Sequence, residues 1–297
     1  MYYIIPYMFQ DYNQWTRYFV TITLWFIVIN MVTNWLCVIL YNPAYPKTKD
    51  NISLQPDHKD GILPDKISAG IPQTMHLKEV NGQCVYDIET EETLPWHYCE
   101  TCEIHAPFRS HHCKVCKTCI LKMNHHCYIV GNCVGFNNQR YFAVFTFYIM
   151  TNCLPAAYFT FEYIQDNVLV ELNSWTDLVL PLTIWRYVNG SINSLNCLLI
   201  FHLYTEITFG ILGLFYFLIQ MLLCTSGKTL YEKAKGSPVR NTNTFSRNMR
   251  SVFGEYWALN FLVPMTPIFR QRDDGIHWDG IKTDRRTKMN RKNLERK

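Results

Sequence analysis

The chain has 297 residues, a formal net charge of +4, 48% hydrophobic and 15% aromatic content. That length allows a sizeable core, but the apolar residues fall in long uncharged runs, which excludes a soluble globule with evenly spread core positions. Residues 270–297 hold ten Lys or Arg against five Asp or Glu, so the remainder is close to neutral and no nucleic-acid partner is expected.

Residues 1–17 are too short, and from Gln10 to Gln14 too polar, to supply a complete membrane helix; they read as an N-terminal segment lying in the interface. Tyr18 to Tyr41 carries no charge and is long enough to cross about 30 Å of hydrocarbon as a helix. No small-residue cleavage site follows it, so 18–41 reads as a retained span. Residues 42–98 read as a cytosolic linker and hairpin: 42–75 are rich in Pro, Lys, Asp and Gly, and Asn81-Gly82, between Leu77 and Tyr86, is the strongest two-residue hairpin signal. Residues 99–140 are dense in cysteine and histidine. The uncharged run Tyr141 to Phe161 gives a second span over 141–164. Leu203 to Cys224, interrupted only by Glu206, gives a third over 203–224. Between them, 165–202 contains Leu178 to Val188, broken by Pro181 and Arg186, and reads as lumenal or re-entrant. Residues 225–269 form a C-terminal domain, and 270–297 a basic tail, mobile and drawn to anionic lipid.

Lysine and arginine near the spans set orientation. Arg186 is the single basic residue of 165–194. The cysteine segment holds Arg109, Lys114, Lys117, Lys122 and Arg140, and the stretch after Cys224 holds Lys228, Lys233, Lys235 and Arg240. Both of these regions are therefore placed in the cytosol, on an internal membrane read as endoplasmic reticulum or Golgi. Reducing conditions there suit metal thiolates and argue against disulfides.

One spacing occurs twice in the cysteine segment, offset by fourteen residues. Cys99, Cys102, His112 and Cys119 are separated by two, nine and six residues, and Cys113, Cys116, His126 and Cys133 repeat those gaps. Each set offers three thiolates and an imidazole, the ligands of a closed tetrahedral structural zinc. So dense a module has little conventional core, and metal binding would supply its folding free energy. Assigning these eight leaves Cys127, His125 and His111. Cys127 opens a third copy of the repeat, but Val130 stands where its companion cysteine would be. A thiol is a nucleophile only as thiolate, and a nearby base promotes it; the bland reading is a spare ligand or an inert buried thiol.

The segment Cys99 to Phe142, containing RSHHCKVCKTCILKMNHHCYIVGNCVGFNNQRYF, resembles the cysteine-rich domain of the DHHC protein S-acyltransferases, the palmitoyltransferases. Thr229-Leu230-Tyr231-Glu232 resembles that family's TTxE element. Asn248 to Gly254 resembles the motif that precedes its aromatic-rich C-terminal segment, here Tyr256 to Pro264. The resemblance implies an α-helical polytopic membrane protein with an inserted, cytosolic, zinc-stabilised domain of two interleaved CCHC sites and small β-hairpins. It implies two structural zincs, palmitoyl-CoA as acyl donor, and membrane-associated protein substrates with cytosolic cysteines. By position Cys127 would carry the acyl group and His125 would be the base, while His126 remains a zinc ligand. Phe142 and Phe145 would face the acyl chain, and Arg109, Thr229, Glu232 and Asn248 are assigned to substrate or cofactor binding.

Four departures stand out. The tetrad's aspartate is Asn124, and the usual Pro-Trp after its cysteine is Tyr128-Ile129. The KPxR element reads Ala106-Pro107-Phe108-Arg109, without its lysine, and the second threonine of TTxE is Leu230. Asparagine can accept from an imidazole N–H but brings no charge to stabilise an imidazolium, and the corresponding change in a serine-protease triad costs about 10⁴-fold. Cysteine depends less on its base, so weakened chemistry is expected. The alternative is a catalytically weak or silent membrane scaffold. Leu230 is expected to leave residue 124 without the threonine that neighbours it in the family.

Overall fold

A computed structural model describes residues 4–46, 74–80, 83–89, 96–169, 175–262, 271 and 273–283. The apolar runs lie in helices α2 (Gln14–Leu40), α3 (Gln139–Asn167) and α5 (Ser194–Ser226), with short helices α1 (Ile4–Met8) and α4 (Leu180–Val188) before and between them. At 1.5 Å per residue the three long helices measure about 40, 44 and 50 Å, more than the hydrocarbon core requires. Among the described residues, these three are long and apolar enough to cross a membrane. The protein is an α-helical polytopic membrane protein with an inserted cysteine-rich domain.

Helix α5 begins at Ser194, nine residues before Leu203, where the sequence-based third span starts. Helical hydrogen bonding continues through His202, whose Nε2 lies 3.0 Å from a carboxylate oxygen of Glu206 on the next turn. Residues 194–202, expected to be lumenal or re-entrant, are thus continuous with the third apolar helix. Leu178 to Val188 supplies α4, which follows a 3₁₀ turn at Trp175–Leu178 and is tied to it by an Arg186–Asp177 ion pair of 2.7 Å.

The chain divides into two compact units. The first takes residues 1–38, 140–222 and 258–268. Helix α2 exposes Phe19, Ile22, Trp25 and Ile29, while Asn30 and Asn34 are buried; their side-chain amides donate to the Phe26 and Asn30 carbonyls one turn back. This satisfies the amide N–H groups inside an apolar helix, as hydrocarbon demands, while Asn30 Oδ1 has no hydrogen-bond partner among the described residues. Helices α3 and α5 approach closely through two glycines. A Cβ on Gly213 would lie 2.7 Å from Ile149 Cγ2 and 2.9 Å from the Met150 backbone nitrogen, and one on Gly210 would lie 2.7 Å from Leu154 Cδ2. Small residues allow such contact between membrane helices, where dispersion replaces the hydrophobic effect as the driving force.

The second unit takes residues 39–139, 223–257 and 269–297. Strands β1 (Thr74–Val80) and β2 (Gln83–Glu89) pair antiparallel, with Val80 opposite Gln83; the expected Asn81-Gly82 turn lies outside the described residues. Three further hairpins repeat at fourteen-residue intervals: β3 (His97–Cys99) with β4 (Ile104–Ala106), β5 (His111–Cys113) with β6 (Thr118–Ile120), and β7 (His125–Cys127) with β8 (Asn132–Val134). Glu103, Lys117 and Gly131, also fourteen apart, take positive φ of 56°, 54° and 65° and turn each chain back on itself. Residues 43–45 run beside the middle hairpin, with Leu121 N–H donating to the Pro43 carbonyl at 2.9 Å and Tyr45 N–H to that of Cys119 at 2.8 Å. After α5 come α6 (Leu230–Ala234), β9 (Val239–Asn241), α7 (Phe245–Phe253) and β10 (Ile281–Thr283), which pairs with β9. The last strand corrects part of the expected mobile tail. Trp278 and Ile281 are buried against Ile104, Ala106, Phe136 and Val239, while residues 284–297 lie outside the described residues.

Gly213→Leu should force α3 and α5 apart and lower stability by about 1–3 kcal/mol, the usual cost of overpacking. The check is the thermal midpoint of the purified protein in neutral nanodiscs, with zinc content unchanged.

Candidate metal centres and reactive cysteine

The two ligand sets assemble by one rule. In the first two hairpins the ascending strand and turn present a Cys-x2-Cys knuckle, and in the second and third the central cross-strand pair presents a second couple. His112 faces Cys119 and His126 faces Cys133 across their ladders. Cys99 and Cys102 from the first knuckle meet His112 and Cys119 of the second hairpin, and Cys113 and Cys116 from the second knuckle meet His126 and Cys133 of the third. Within each set all four ligand atoms lie within 4.8 Å of one another.

A tetrahedral zinc with Zn–S of about 2.3 Å and Zn–N of about 2.0–2.1 Å has ligand-to-ligand edges of roughly 3.6–3.8 Å. The observed edges follow this. His112 Nδ1 lies 3.7 and 3.2 Å from Cys99 and Cys102 Sγ. His126 Nδ1 lies 3.8, 3.3 and 3.5 Å from Cys113, Cys116 and Cys133 Sγ. Burial pushes up the pKa of the Cys99, Cys113, Cys119 and Cys133 thiols. At Cys99 and Cys113 backbone N–H donors outweigh it and leave both below the ordinary value, whereas at Cys119 and Cys133 adjacent thiols reinforce it. Three thiolates side by side therefore call for a cation, and both donor sets fit zinc.

The third knuckle has no fourth hairpin to meet. Cys127 occupies the position of Cys99 and Cys113, but the chain beyond β8 enters α3 at Gln139. Side chains alternate along a strand, so His126 turns to its metal set while His125 and Cys127 share the opposite face of β7. Cys127 is buried, and Tyr128 and Ile129 beside it are exposed. Burial, with His126 adjoining, pushes the His125 imidazole down to about 4. His111, the other leftover histidine, is a packing group. Its ring stacks on Tyr231 at 3.9 Å and on His97 at 5.8 Å, and burial, with His97 adding to it, takes its pKa to about 4.

Residues 92–237 match the family model for the DHHC palmitoyltransferase domain. These residues form a DHHC domain. It is similar to Palmitoyltransferase ZDHHC22 of Danio rerio, 36% identical over 141 residues, covering 45% of this chain and 49% of that protein. It also resembles the Mus musculus protein of that name, at 31% over 133 residues with 44% and 50% covered, and the Homo sapiens one, at 30% with the same coverage. The chain thus spans about half the length of the curated relatives it matches.

The other predicted residues of this chain fall into three places. Phe142 and Phe145 are buried in the first turns of α3, where Phe142 meets Tyr216 edge-on at 6.0 Å. Arg109, Thr229 and Glu232 form one network. Thr229 and Glu232 make a reciprocal capping box at the start of α6. Glu232 also receives Arg109 through two bonds, Nε to Oε1 at 2.6 Å and an Nη to Oε2 at 2.9 Å, and the guanidinium donates to the Gly227 carbonyl at 2.8 Å. Both side chains are 2% exposed. Gly227 adopts φ +62°, and a Cβ there would sit 2.1 Å from Asn241 Nδ2, so this link between α5 and α6 accepts only glycine. Asn248 lies against the same link, donating to the Thr225 carbonyl at 2.8 Å and accepting from Asn241.

Asn124 is fully buried, and its Oδ1 accepts from the Leu230 backbone N–H at 2.8 Å. Leu230 therefore does supply residue 124 with a hydrogen bond, through its main chain. Side-chain identity could not reveal this. The donor is one of the unsatisfied N–H groups that every helix presents at its start.

Cys102→Ala and Cys116→Ala should each remove about one zinc per chain, whereas Cys127→Ser should retain both. Metal analysis of purified protein, with far-UV circular dichroism, checks this; loss of one equivalent from Cys127→Ser would reassign the third knuckle.

Proposed function

We propose that the protein transfers a long-chain acyl group from acyl-coenzyme A, palmitoyl-CoA among the donors, through a thioester on Cys127 to cysteines of membrane-associated proteins. The observation that carries this reading is the thiol of the third knuckle, left outside both metal sets on the strand face it shares with His125. In the first step His125 takes the Cys127 thiol proton, the sulfur attacks the acyl carbonyl, and the coenzyme A thiolate leaves and is protonated. In the second, a substrate thiolate attacks the new thioester, and Cys127 returns to thiol. One thioester replaces another, so the protein's task is kinetic. It must supply thiolate, hold the chain and keep water away, and covalent catalysis divides the work into two steps. The metals hold the hairpins in place.

Phe142 and Phe145 are assigned to the wall around the acyl chain, where each buried methylene contributes about 0.8 kcal/mol and favours long donors. Arg109, Thr229, Glu232 and Asn248 are assigned to framing the reactive hairpin, since their hydrogen-bonding groups are used on one another and on the end of α5. Exposed Tyr128 and Ile129 suit a reactive cysteine working at a bilayer surface. The basic residues flanking the spans support a cytosolic cysteine-rich unit, on a membrane we read as endoplasmic reticulum or Golgi. Asn124 favours a slower enzyme or a scaffold, because its amide oxygen carries no charge. A carboxylate at 124 would keep the bond from Leu230 N–H and offer a second, charged oxygen to the imidazolium.

Incubation with labelled palmitoyl-CoA should give a hydroxylamine-sensitive adduct that Cys127→Ser abolishes. His125→Ala should slow its formation by roughly 10²–10⁴-fold. Asn124→Asp should speed it, and Leu230→Thr should add little, since the contact with residue 124 runs through the backbone. No adduct on zinc-loaded protein would leave the scaffold reading.

Orientation is checked separately by protease protection of tags at Asn51 and Asn173. The first should be digested and the second protected in sealed microsomes.

A further inference from the structure

A polar recess opens beside the Arg109–Glu232 pair. Gln139, the first residue of α3, and Leu223 and Cys224, in the last turn of α5, form part of its wall. It therefore lies at the ends of two membrane-length helices. Neither the zinc ligands nor residues 124–127 line it, so it is distinct from the surroundings of Cys127.

Its lining is rich in donors with nothing to donate to. Lys122 is 4% exposed and faces the Trp278 ring, Nζ to centroid 5.3 Å. Among the described residues it makes no hydrogen bond and no ion pair within 4.0 Å. The Trp278 indole N–H is buried without an acceptor among the described residues. Lys228 and Ser251 also line the recess, and neither has a side-chain hydrogen bond or ion pair among the described residues.

The other charges are accounted for. Arg109 lies over the same ring at 4.8 Å but is neutralised by Glu232. Arg247 is held by Asp279 at 2.6 Å. Asp273 is near enough to favour the Lys122 ammonium yet beyond ion-pair distance. Two lysines thus face one uncommitted carboxylate.

An ammonium withdrawn from water without a charged partner is costly. Here burial, with the Arg109 charge adding to it, pushes the Lys122 pKa down to about 8. A cation–π contact offsets only part of that cost. What the recess lacks is a compact group with negative charge and several acceptor oxygens.

We propose that this recess binds a phosphate monoester group, on an anionic lipid headgroup or as free phosphate, with Lys122 as its principal donor and Lys228, Ser251 and the Trp278 N–H completing the shell. The position at the helix ends suits a lipid phosphate, and the same donors would accept the free ion. Binding needs neither Cys127 nor acyl transfer.

The test uses full-length, zinc-loaded protein in nanodiscs and follows its thermal midpoint in three settings: neutral phosphatidylcholine, phosphatidylcholine with phosphatidic acid, and phosphatidylcholine with inorganic phosphate, all at matched ionic strength in chloride. Wild type should be stabilised by at least one of the two anions, and which one identifies the source. Lys122→Met should be at least as stable as wild type in neutral lipid, because it removes an unpaired buried charge, and should lose the anion-induced rise. Lys228→Met, at a half-buried position, should raise the half-maximal anion concentration tenfold or more while keeping two zincs per chain. Lys122→Arg should retain part of the response. No shift with either anion in wild type, or an undiminished shift in both Lys122→Met and Lys228→Met, would overturn the proposal.

Discussion

A cysteine knuckle in one hairpin and a cross-strand histidine–cysteine pair in the next share one tetrahedral ligand set, and the cysteine-rich unit depends on that link. The strands of its three cysteine-bearing hairpins are three residues long and pair only two by two, which on its own gives marginal stability. A dication holding three thiolates and an imidazole replaces the apolar core that so short a ladder cannot build. Because each set spans two hairpins, the register of one fixes the position of the next. The fourteen-residue spacing and the left-handed residues at Glu103, Lys117 and Gly131 express one geometric requirement.

The same rule explains how an unliganded thiol comes to lie in a module full of metal ligands. A run of three hairpins joined in series has two junctions, and the last knuckle is left over. Cys127 stands where a ligand would stand, on a strand whose neighbour His126 is anchored to metal. On the proposed reading, chemistry at Cys127 would take place on a backbone that bound metal holds rather than loop packing, which would limit how far thiol and imidazole can drift. A nucleophile and its base need that constancy.

Beyond the hairpins, the buried Arg109–Glu232 pair gathers chain segments far apart in sequence. The carboxylate closes the capping box of α6, accepts a bidentate guanidinium and so fixes the helix start whose Leu230 N–H reaches Asn124. Removing one member of such a pair leaves a buried charge alone, at a cost of about 3–5 kcal/mol. The pair, the Gly227 turn and Asn248 form a polar frame at the end of α5. Lys122 adjoins this frame but is not neutralised by it, and its charge remains available to a ligand.

By itself the sequence determined the class of the protein and the metal sites. Apolar runs longer than a bilayer is thick have few alternatives to membrane helices, and a four-ligand spacing that occurs twice names its own members. Local chemistry decides both, so both were legible. Tertiary structure decided whatever depends on backbone donors or on residues distant in the chain. The start of α5 at Ser194 was hidden by His202, because hydropathy registers the charge and not its pairing with Glu206. The docking of Trp278 and Ile281 was hidden in a basic tail, although an isolated tryptophan among charges was a signal that could have been read. Arg109, which the resemblance assigned to substrate or cofactor binding, lies in a buried pair with a glutamate 123 residues away. Leu230 looked like a lost hydroxyl and proved to be a retained hydrogen bond, since a helix start donates from its main chain whatever side chain it carries.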